Sequence, residues 1–189
     1  RRVNMSILHA SVGIDLGSSK FVVAVAKKGG VEVLTNDASY RQTPTLVSFG
    51  PERIVGDKAV QKIKKNINNS ILLPPRWIGE LSPQQLAFEK RYNFSKVQLD
   101  DQQHAVFNVN YEGNPLQAPA VQVLAGVFKE ALEVMKMNQI MQNEAVVSVP
   151  GYLGQTERQA VIDAAKIAGL EITKLYNESA ANVMNYGIF

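Results

Sequence analysis

Three short runs rich in β-branched residues follow one another at the start of the chain, with only a few residues between them. They are Val12-Gly-Ile-Asp-Leu16, Phe21-Val-Val-Ala-Val-Ala26 and Val31-Glu-Val-Leu-Thr35. Gly17-Ser-Ser-Lys20 separates the first two and Lys28-Gly29-Gly30 the next two, so the chain begins as a meander of hairpins with Gly29-Gly30 as a tight turn. Helical periodicity comes later. Val121, Leu124, Ala125, Phe128, Leu132 and Met135 fall on the i, i+3, i+4, i+7 pattern of one buried face, and Pro119 suits the first turn of that helix. Glu144-Ala-Val-Val-Ser-Val149 reads as an apolar strand that stops at Pro150. Thr156-Glu-Arg-Gln159 reads as a capping box whose helix runs to Gly169, a good residue just past a helix end. Ile172 to Tyr176 is the next strand, and Asn177-Glu-Ser179 opens a last helix that Gly187 closes. The outer blocks therefore alternate βββ…αβαβα, the pattern of an α/β layer structure with helices on a mixed sheet.

Between them, residues 36–118 have a different texture. A strand-like Thr45-Leu-Val-Ser-Phe49 is followed by a Lys-rich helix from Asp57 to Lys65, then polar, irregular sequence, then a strand at Ala105-Val-Phe-Asn-Val-Asn-Tyr111. This block reads as an insertion with its own small core.

Composition removes several function classes. A chain of 189 residues with 46% hydrophobic side chains suits one domain or two small ones, and can bury a real core. With no Cys, disulfide scaffolds, Cys-based zinc sites and thiol catalysis are excluded. The two histidines, His9 and His104, are far apart in sequence, which argues against a His-rich metal site or a Ser-His-Asp triad. Net charge is only +3 and no dense basic tract accompanies it. Lys58, Lys62, Lys64 and Lys65 have no interleaved aromatics and read as a solvated helix face, so no nucleic-acid partner is expected. No segment approaches the ~20 apolar residues of a membrane span, so no membrane partner is expected either. Residues 1–11 are basic at the front, but Ile7-Leu8 is too short for a signal-peptide core. Met5 is a candidate native start. The expected location is the cytoplasm, with the endoplasmic reticulum lumen as the alternative if a signal peptide has been removed. Asn68, Asn93 and Asn177 each begin an N-x-Ser sequon, and a glycan on Asn177 would fall in the cleft described next.

Two stretches carry chemistry. In Asp15-Leu-Gly17-Ser18-Ser19-Lys20 an acid ends a strand and is followed by Gly and two small hydroxyl residues in a hairpin turn. Gly allows close backbone approach, turn N–H groups and hydroxyls supply donors, and Asp15 stands where it can hold a hydrated Mg²⁺ against phosphates. The stretch is neither a Walker loop nor GxGxxG. The same residues also serve a turn that uses Gly and Ser for shape alone. In Tyr176-Asn177-Glu178-Ser179 a carboxylate at a strand-to-helix junction points to the crevice at the sheet's carboxyl end. Taken alone, Asn177 as a helix cap and Glu178 as a first-turn acid account for it.

Together the two stretches resemble the actin-like ATPases, most closely the DnaK-like seventy-kilodalton heat-shock chaperones. The matches continue in order through Asn36-Asp37, Arg41-x-Thr43-Pro44, Ile54-Val-Gly-Asp57, Ile78-Gly79, Val147-Ser-Val-Pro150-x-Tyr152, Glu157-Arg-Gln-Ala160, Asp163-Ala-Ala165, Ile167-Ala-Gly-Leu170, Asn177-Glu178 and Asn185-Tyr-Gly187. The resemblance implies one lobe of an actin-like, RNase H-like ATPase: a mixed sheet with flanking helices and a smaller inserted α/β subdomain. Residues 5–40 and 116–189 would form the RNase H-like subdomain and residues 41–115 the smaller one. The second phosphate loop, the adenosine pocket and the substrate-binding domain would lie outside this chain. ATP or ADP with Mg²⁺ would be bound, with Asp15 holding the metal through water and Gly17, Ser18, Ser19 and Lys20 cradling the phosphates. Glu178 would sit near the attacking water. Pro150 and Arg158 match the proline–arginine pair that relays nucleotide state to the substrate-binding domain in this family. Partners of the full-length protein would be unfolded client proteins and a standard seventy-kilodalton chaperone or co-chaperones.

The departures from the family matter equally. Its cleft lysine should lie just before Arg76-Trp-Ile-Gly79, where this chain has Pro75. A cation on the γ-phosphate supplies much of the charge stabilisation in phosphoryl transfer, so hydrolysis is expected to suffer more than binding. Arg76 is the candidate substitute cation. The family's Pro after the Glu is Ser179, the first loop has Ser for Thr, and Lys20 replaces an aromatic. The ending Asn185-Tyr-Gly-Ile-Phe189 looks more like the 110 kDa heat-shock relatives, which act largely as nucleotide-exchange partners and holdases. The expectation is ATP binding with weak hydrolysis. The rivals are an ordinary seventy-kilodalton foldase ATPase in which Arg76 or another lysine replaces the missing one, a small-molecule kinase of the same fold, and a binding module without nucleotide.

Overall fold

The computed structural model describes residues 11–185 and Gly187. Met5, His9 and most of the Asn185-Tyr-Gly-Ile-Phe189 ending lie outside them. The opening meander is present as β1 (Ser11–Leu16), β2 (Lys20–Lys27) and β3 (Gly30–Val33), paired antiparallel in sequence. Its second turn is Lys28-Gly29. Gly30 is already in β3 at φ 132°, a conformation that L side chains rarely adopt. β4 (Thr43–Pro44) lies beside the start of β2.

The middle block contributes β5 (Val47–Ser48), β6 (Ile54–Val55), α1 (Asp57–Asn66), β7 (Ser70–Ile71), α2 (Pro83–Glu89), β8 (Lys96–Leu99), β9 (Ala105–Tyr111) and β10 (Asn114–Pro119). These strands make two antiparallel three-stranded sheets, ordered β6-β5-β7 and β10-β9-β8. The chain then returns through α3 (Ala120–Met137), β11 (Glu144–Val149), α4 (Gln155–Ala168), β12 (Glu171–Asn177) and α5 (Glu178–Asn185). β11 enters the first sheet parallel to β1, and β12 pairs parallel to β11, giving the order β12-β11-β1-β2-β3. The mixed α/β layering expected from the sequence is what forms.

Along β1, Val12, Ile14 and Leu16 are buried and Asp15 is exposed, so the period-2 alternation puts the acid on the opposite face from the core. The α3 stripe is wider than its periodicity predicts. Leu124, Ala125, Phe128 and Met135 are buried as expected, and Val123, Val127, Ala131 and Val134 are buried too. The cause is position: α3 packs against α4 and β2 and also against strands of both small sheets, so it has little solvent side.

Four more sequence expectations are corrected. The middle block has no separate core, since Phe49, Trp77 and Phe107 belong to one hydrophobic cluster with Ile14, Phe128 and Val147. Thr45-Leu-Val-Ser-Phe49 is buried but only Val47–Ser48 is paired as strand, because the chain turns from β4 at one sheet to β5 at another. Thr156 does not cap α4. The cap position is Gly154 and the helix starts at Gln155, so Thr156 already lies inside the first turn. The polar stretch after α1, expected to be irregular, holds α2, which opens with a true capping box. Gln85 N–H donates to Ser82 Oγ at 3.2 Å, Ser82 N–H donates to Gln85 Oε1 at 2.8 Å, and Pro83 occupies the first helical position.

Trp77, the only tryptophan, is 1% exposed and meets Phe107 edge-on at 5.2 Å. Phe107→Ala should leave a cavity there and lower stability by about 3–5 kcal/mol. Urea unfolding followed by circular dichroism checks the magnitude, and Trp77 emission should shift to the red in the variant.

Candidate phosphate-binding crevice

Strands β1, β11 and β12 run parallel, so their carboxyl ends open on one side, and the register there aligns Asp15 with Ser148 and Ser148 with Tyr176. This is where α/β sheets bind ligands. Ser148 Oγ donates to Asp15 Oδ1 at 2.6 Å, which fixes the direction of the carboxylate. Glu178 is the first residue of α5 and follows β12 directly. Its carboxyl is held above the usual carboxylate range, first by burial and second by the negative charge of Asp15. The two acids predicted from sequence therefore stand at the same end of the sheet, near enough for the charge of Asp15 to act on Glu178.

The turn after β1 is built for closeness. A Cβ on Gly17 would stand 2.8 Å from the Lys20 carbonyl oxygen, so no other residue fits without shifting the hairpin. Buried Thr45 anchors this turn from the β4–β5 link. Its hydroxyl donates to Ser18 O at 2.6 Å and its N–H to Ser19 O at 2.9 Å. The Ser18 hydroxyl shares a 3.2 Å hydrogen bond with the Tyr152 hydroxyl. Ser19 is exposed, and the Lys20 ammonium donates to Gln42 Oε1 at 3.0 Å.

Pro75 is buried in a 3-10 turn, Pro74–Arg76, entered through Leu73 at φ 55°. Arg76 lines a cleft of about 340 Å³ shared with Tyr152, Leu153 and Glu157, and its guanidinium is bound to Glu89. That partner raises the Arg76 pKa further, chiefly through the hydrogen bond. Across the cleft, the Glu157 side chain fills the space between two glycines. A Cβ on Gly79 (φ 80°) would lie 2.7 Å from Glu157 Cγ, and one on Gly154 2.8 Å from Glu157 Oε2.

Pro150 and Arg158 are joined through the turn between β11 and α4. Leu153 N–H donates to Pro150 O at 3.2 Å, and Arg158 Nε donates to Leu153 O at 3.0 Å. Arg158 also donates through Nη2 to Asn177 Oδ1, one residue before Glu178. Sequence reasoning missed Ser148, Tyr152 and Thr45 as parts of the site. Ser148 carried a signal, since it is the one hydroxyl in the apolar run Val146-Val-Ser-Val149. Tyr152 stood in the family-like run from Val147, but nothing local set it beside Ser18, 134 residues away, and Thr45 carried no signal, its contact spanning 27 residues.

Among the described residues no three His, Cys, Asp or Glu side chains converge on a point. One carboxylate oriented by a hydroxyl, beside a turn able to approach phosphates, fits a Mg²⁺ that keeps most of its waters rather than an all-protein cage. Removal of the Asp15 charge should move the Glu178 pKa down but not back to the ordinary value, because burial, the larger cause, remains. Carboxyl-carbon NMR titration of Asp15→Asn checks this, and an unmoved Glu178 would contradict a shared crevice.

The Hsp70 protein family model matches residues 11–189. Heat shock protein 88 of Dictyostelium discoideum is 34% identical over 183 residues, covering 94% of this chain and 23% of that protein. Heat shock protein 110 of Caenorhabditis elegans is 32% identical over 191 residues, covering 98% and 24%. Heat shock 70 kDa protein 4 of Rattus norvegicus is 35% identical over 184 residues, covering 94% and 22%. The chain thus spans about a quarter of the length of these relatives. With this match over nearly its whole length, the chain belongs to the Hsp70 family of heat-shock proteins, and its relatives group it with the larger, 110 kDa branch.

Proposed function

We propose that the crevice at the carboxyl ends of β1, β11 and β12 binds the phosphates of Mg-ATP, and that in the whole protein this binding controls chaperone and nucleotide-exchange activity with slow hydrolysis. The observation that carries the reading is the Ser148-oriented Asp15 beside the tight Gly17 turn, with Glu178 in its field. Asp15 holds Mg²⁺ through water. The backbone from Gly17 to Lys20 and the hydroxyls of Ser18 and Ser19 cradle the β- and γ-phosphates. Glu178 sits by the attacking water. Hydrolysis adds that water to the γ-phosphorus, breaks its bond to the bridging oxygen of ADP, and releases phosphate and a proton. A Mg²⁺ held by Asp15 through water would supply neutralisation of the charge that develops on the phosphate oxygens.

With Pro75 at the position of the family's cleft lysine, the site lacks the cation that stabilises the transition state, so hydrolysis falls more than binding. Nucleotide state passes outward from Glu178 through Asn177 and Arg158 to the turn at Pro150, a route supported by the Arg158 hydrogen bonds to Leu153 and Asn177. Residues 5–40 and 116–189 act as one subdomain and 41–115 as another above the crevice. The self-contained pairing of β5–β7 and of β8–β10 supports this division, with β10 crossing the second boundary. The partners are unfolded clients and a standard seventy-kilodalton chaperone with its co-chaperones.

Calorimetry and single-turnover hydrolysis on the whole protein test this reading. Mg-ATP should bind, Asp15→Asn should weaken binding about tenfold or more, and Pro75→Lys should raise turnover by roughly 10²-fold. Wild-type turnover equal to that of a standard seventy-kilodalton chaperone assayed alongside would contradict the reading, as would no Mg-ATP binding.

A further inference from the structure

We propose that Glu89 is a latch that withholds Arg76 from the γ-phosphate position, so that the chain carries a replacement cation but holds it off. The inference rests on the nucleotide reading above. Arg76 follows the buried Pro75 and stands at the rim of the cleft of about 340 Å³ that Tyr152 also lines. The Tyr152 hydroxyl reaches Ser18 Oγ at 3.2 Å, which connects this cleft to the turn that cradles phosphate. Arg76 and the phosphate turn thus both adjoin Tyr152, Arg76 across the shared cleft and the turn through the Ser18 hydroxyl. Within that cleft its guanidinium is engaged by Glu89, which lines the same space.

The hold is geometrically complete. Arg76 Nε donates to Glu89 Oε1 at 3.0 Å and Oε2 at 2.9 Å, and Nη2 donates to Oε1 at 2.5 Å. Planar guanidinium and carboxylate are matched in the arrangement that gives such pairs their strength. The Phe88 ring lies under the guanidinium at 5.8 Å to its centroid and supports the same orientation. The Glu89 side chain is 10% exposed, and among the described residues Arg76 is its one ion-pair partner. Glu89 is also the last residue of α2, where the helix dipole disfavours a negative charge. Release of Arg76 would therefore leave a buried carboxylate uncompensated at the wrong end of a helix, which is strongly unfavourable. An exposed surface pair would exert no such hold. Here the carboxylate's burial makes the arginine's departure costly, and slow hydrolysis follows from that cost as well as from the missing lysine.

The test is single-turnover ATP hydrolysis on the whole protein, wild type against Glu89→Gln, Glu89→Met and the double variant Glu89→Gln/Arg76→Ala. Glutamine removes the charge, and methionine fills the buried position without one. Either single variant should hydrolyse ATP about tenfold faster or more. The double variant should fall back to the wild-type rate, because the released cation is then gone. Single variants at the wild-type rate, or a double variant as fast as Glu89→Gln, would overturn the latch. A crystal structure of the wild-type protein with ADP and beryllium fluoride decides the matter independently of how the variants fold. Arg76 still on Glu89 supports the latch, and Arg76 on the fluoride overturns it. Calorimetry on the wild type separates the two levels: absence of Mg-ATP binding overturns the nucleotide reading and the latch with it, whereas binding with unmoved variant rates overturns the latch alone.

Discussion

β1 pairs antiparallel with β2 on one side and parallel with β11 on the other, and this double pairing at the sheet's centre places everything the crevice uses. The antiparallel side demands a tight turn directly after Leu16, which brings Gly17, Ser18 and Ser19 to the strand's carboxyl end. The parallel side brings Ser148 level with Asp15, and β12 follows in the same direction to deliver Glu178. A one-residue slip between β1 and β11 would turn Asp15 and Ser148 to opposite faces and bring a buried Val beside the acid. The alternation of Val12, Ile14 and Leu16 into the core resists that slip through the burial of three aliphatic side chains.

Around this centre the structure replaces sequence-distant gaps with direct contacts. Thr45 holds the phosphate turn from a strand link 27 residues away, Tyr152 touches it from the α4 side, and Arg158 ties the end of β12 to the turn after β11. Glu157 fills the place that side chains at Gly79 and Gly154 would take, so the two glycines and the acid form one packed unit between α4 and the middle block. Tyr152 and Arg158 bind together the carboxyl ends of strands in the main sheet, while Thr45 and Glu157 tie that sheet to the middle block.

The sequence made the outer blocks readable because strands and helices there alternate with plain stop signals: Pro150 ends β11, and Gly169, at φ 86°, ends α4. Asp15 and Glu178 were legible for the same reason, each standing at a strand's carboxyl end. The middle block was not. β5, β6 and β7 are two residues each, too short to show any period, and α2 buries so little apolar surface that only its capping box at Ser82 marks it. The direction of Arg76 was hidden for a different reason. It depends on Glu89, a carboxylate 13 residues away that reads as an ordinary charged residue on a polar helix until the fold buries it. Long-range side-chain pairs of this kind leave no local pattern.

The claim at the centre of this account is that the Gly17–Lys20 turn and the β12–α5 junction form one nucleotide-phosphate site. Hydrogen–deuterium exchange on the whole protein, with and without Mg-ATP, tests it most directly. Exchange of the amides at residues 17–20 and around Glu178 should slow, both in the same titration and neither with Mg²⁺ alone. Protection confined to other segments, with these two unchanged at saturating Mg-ATP, would contradict it.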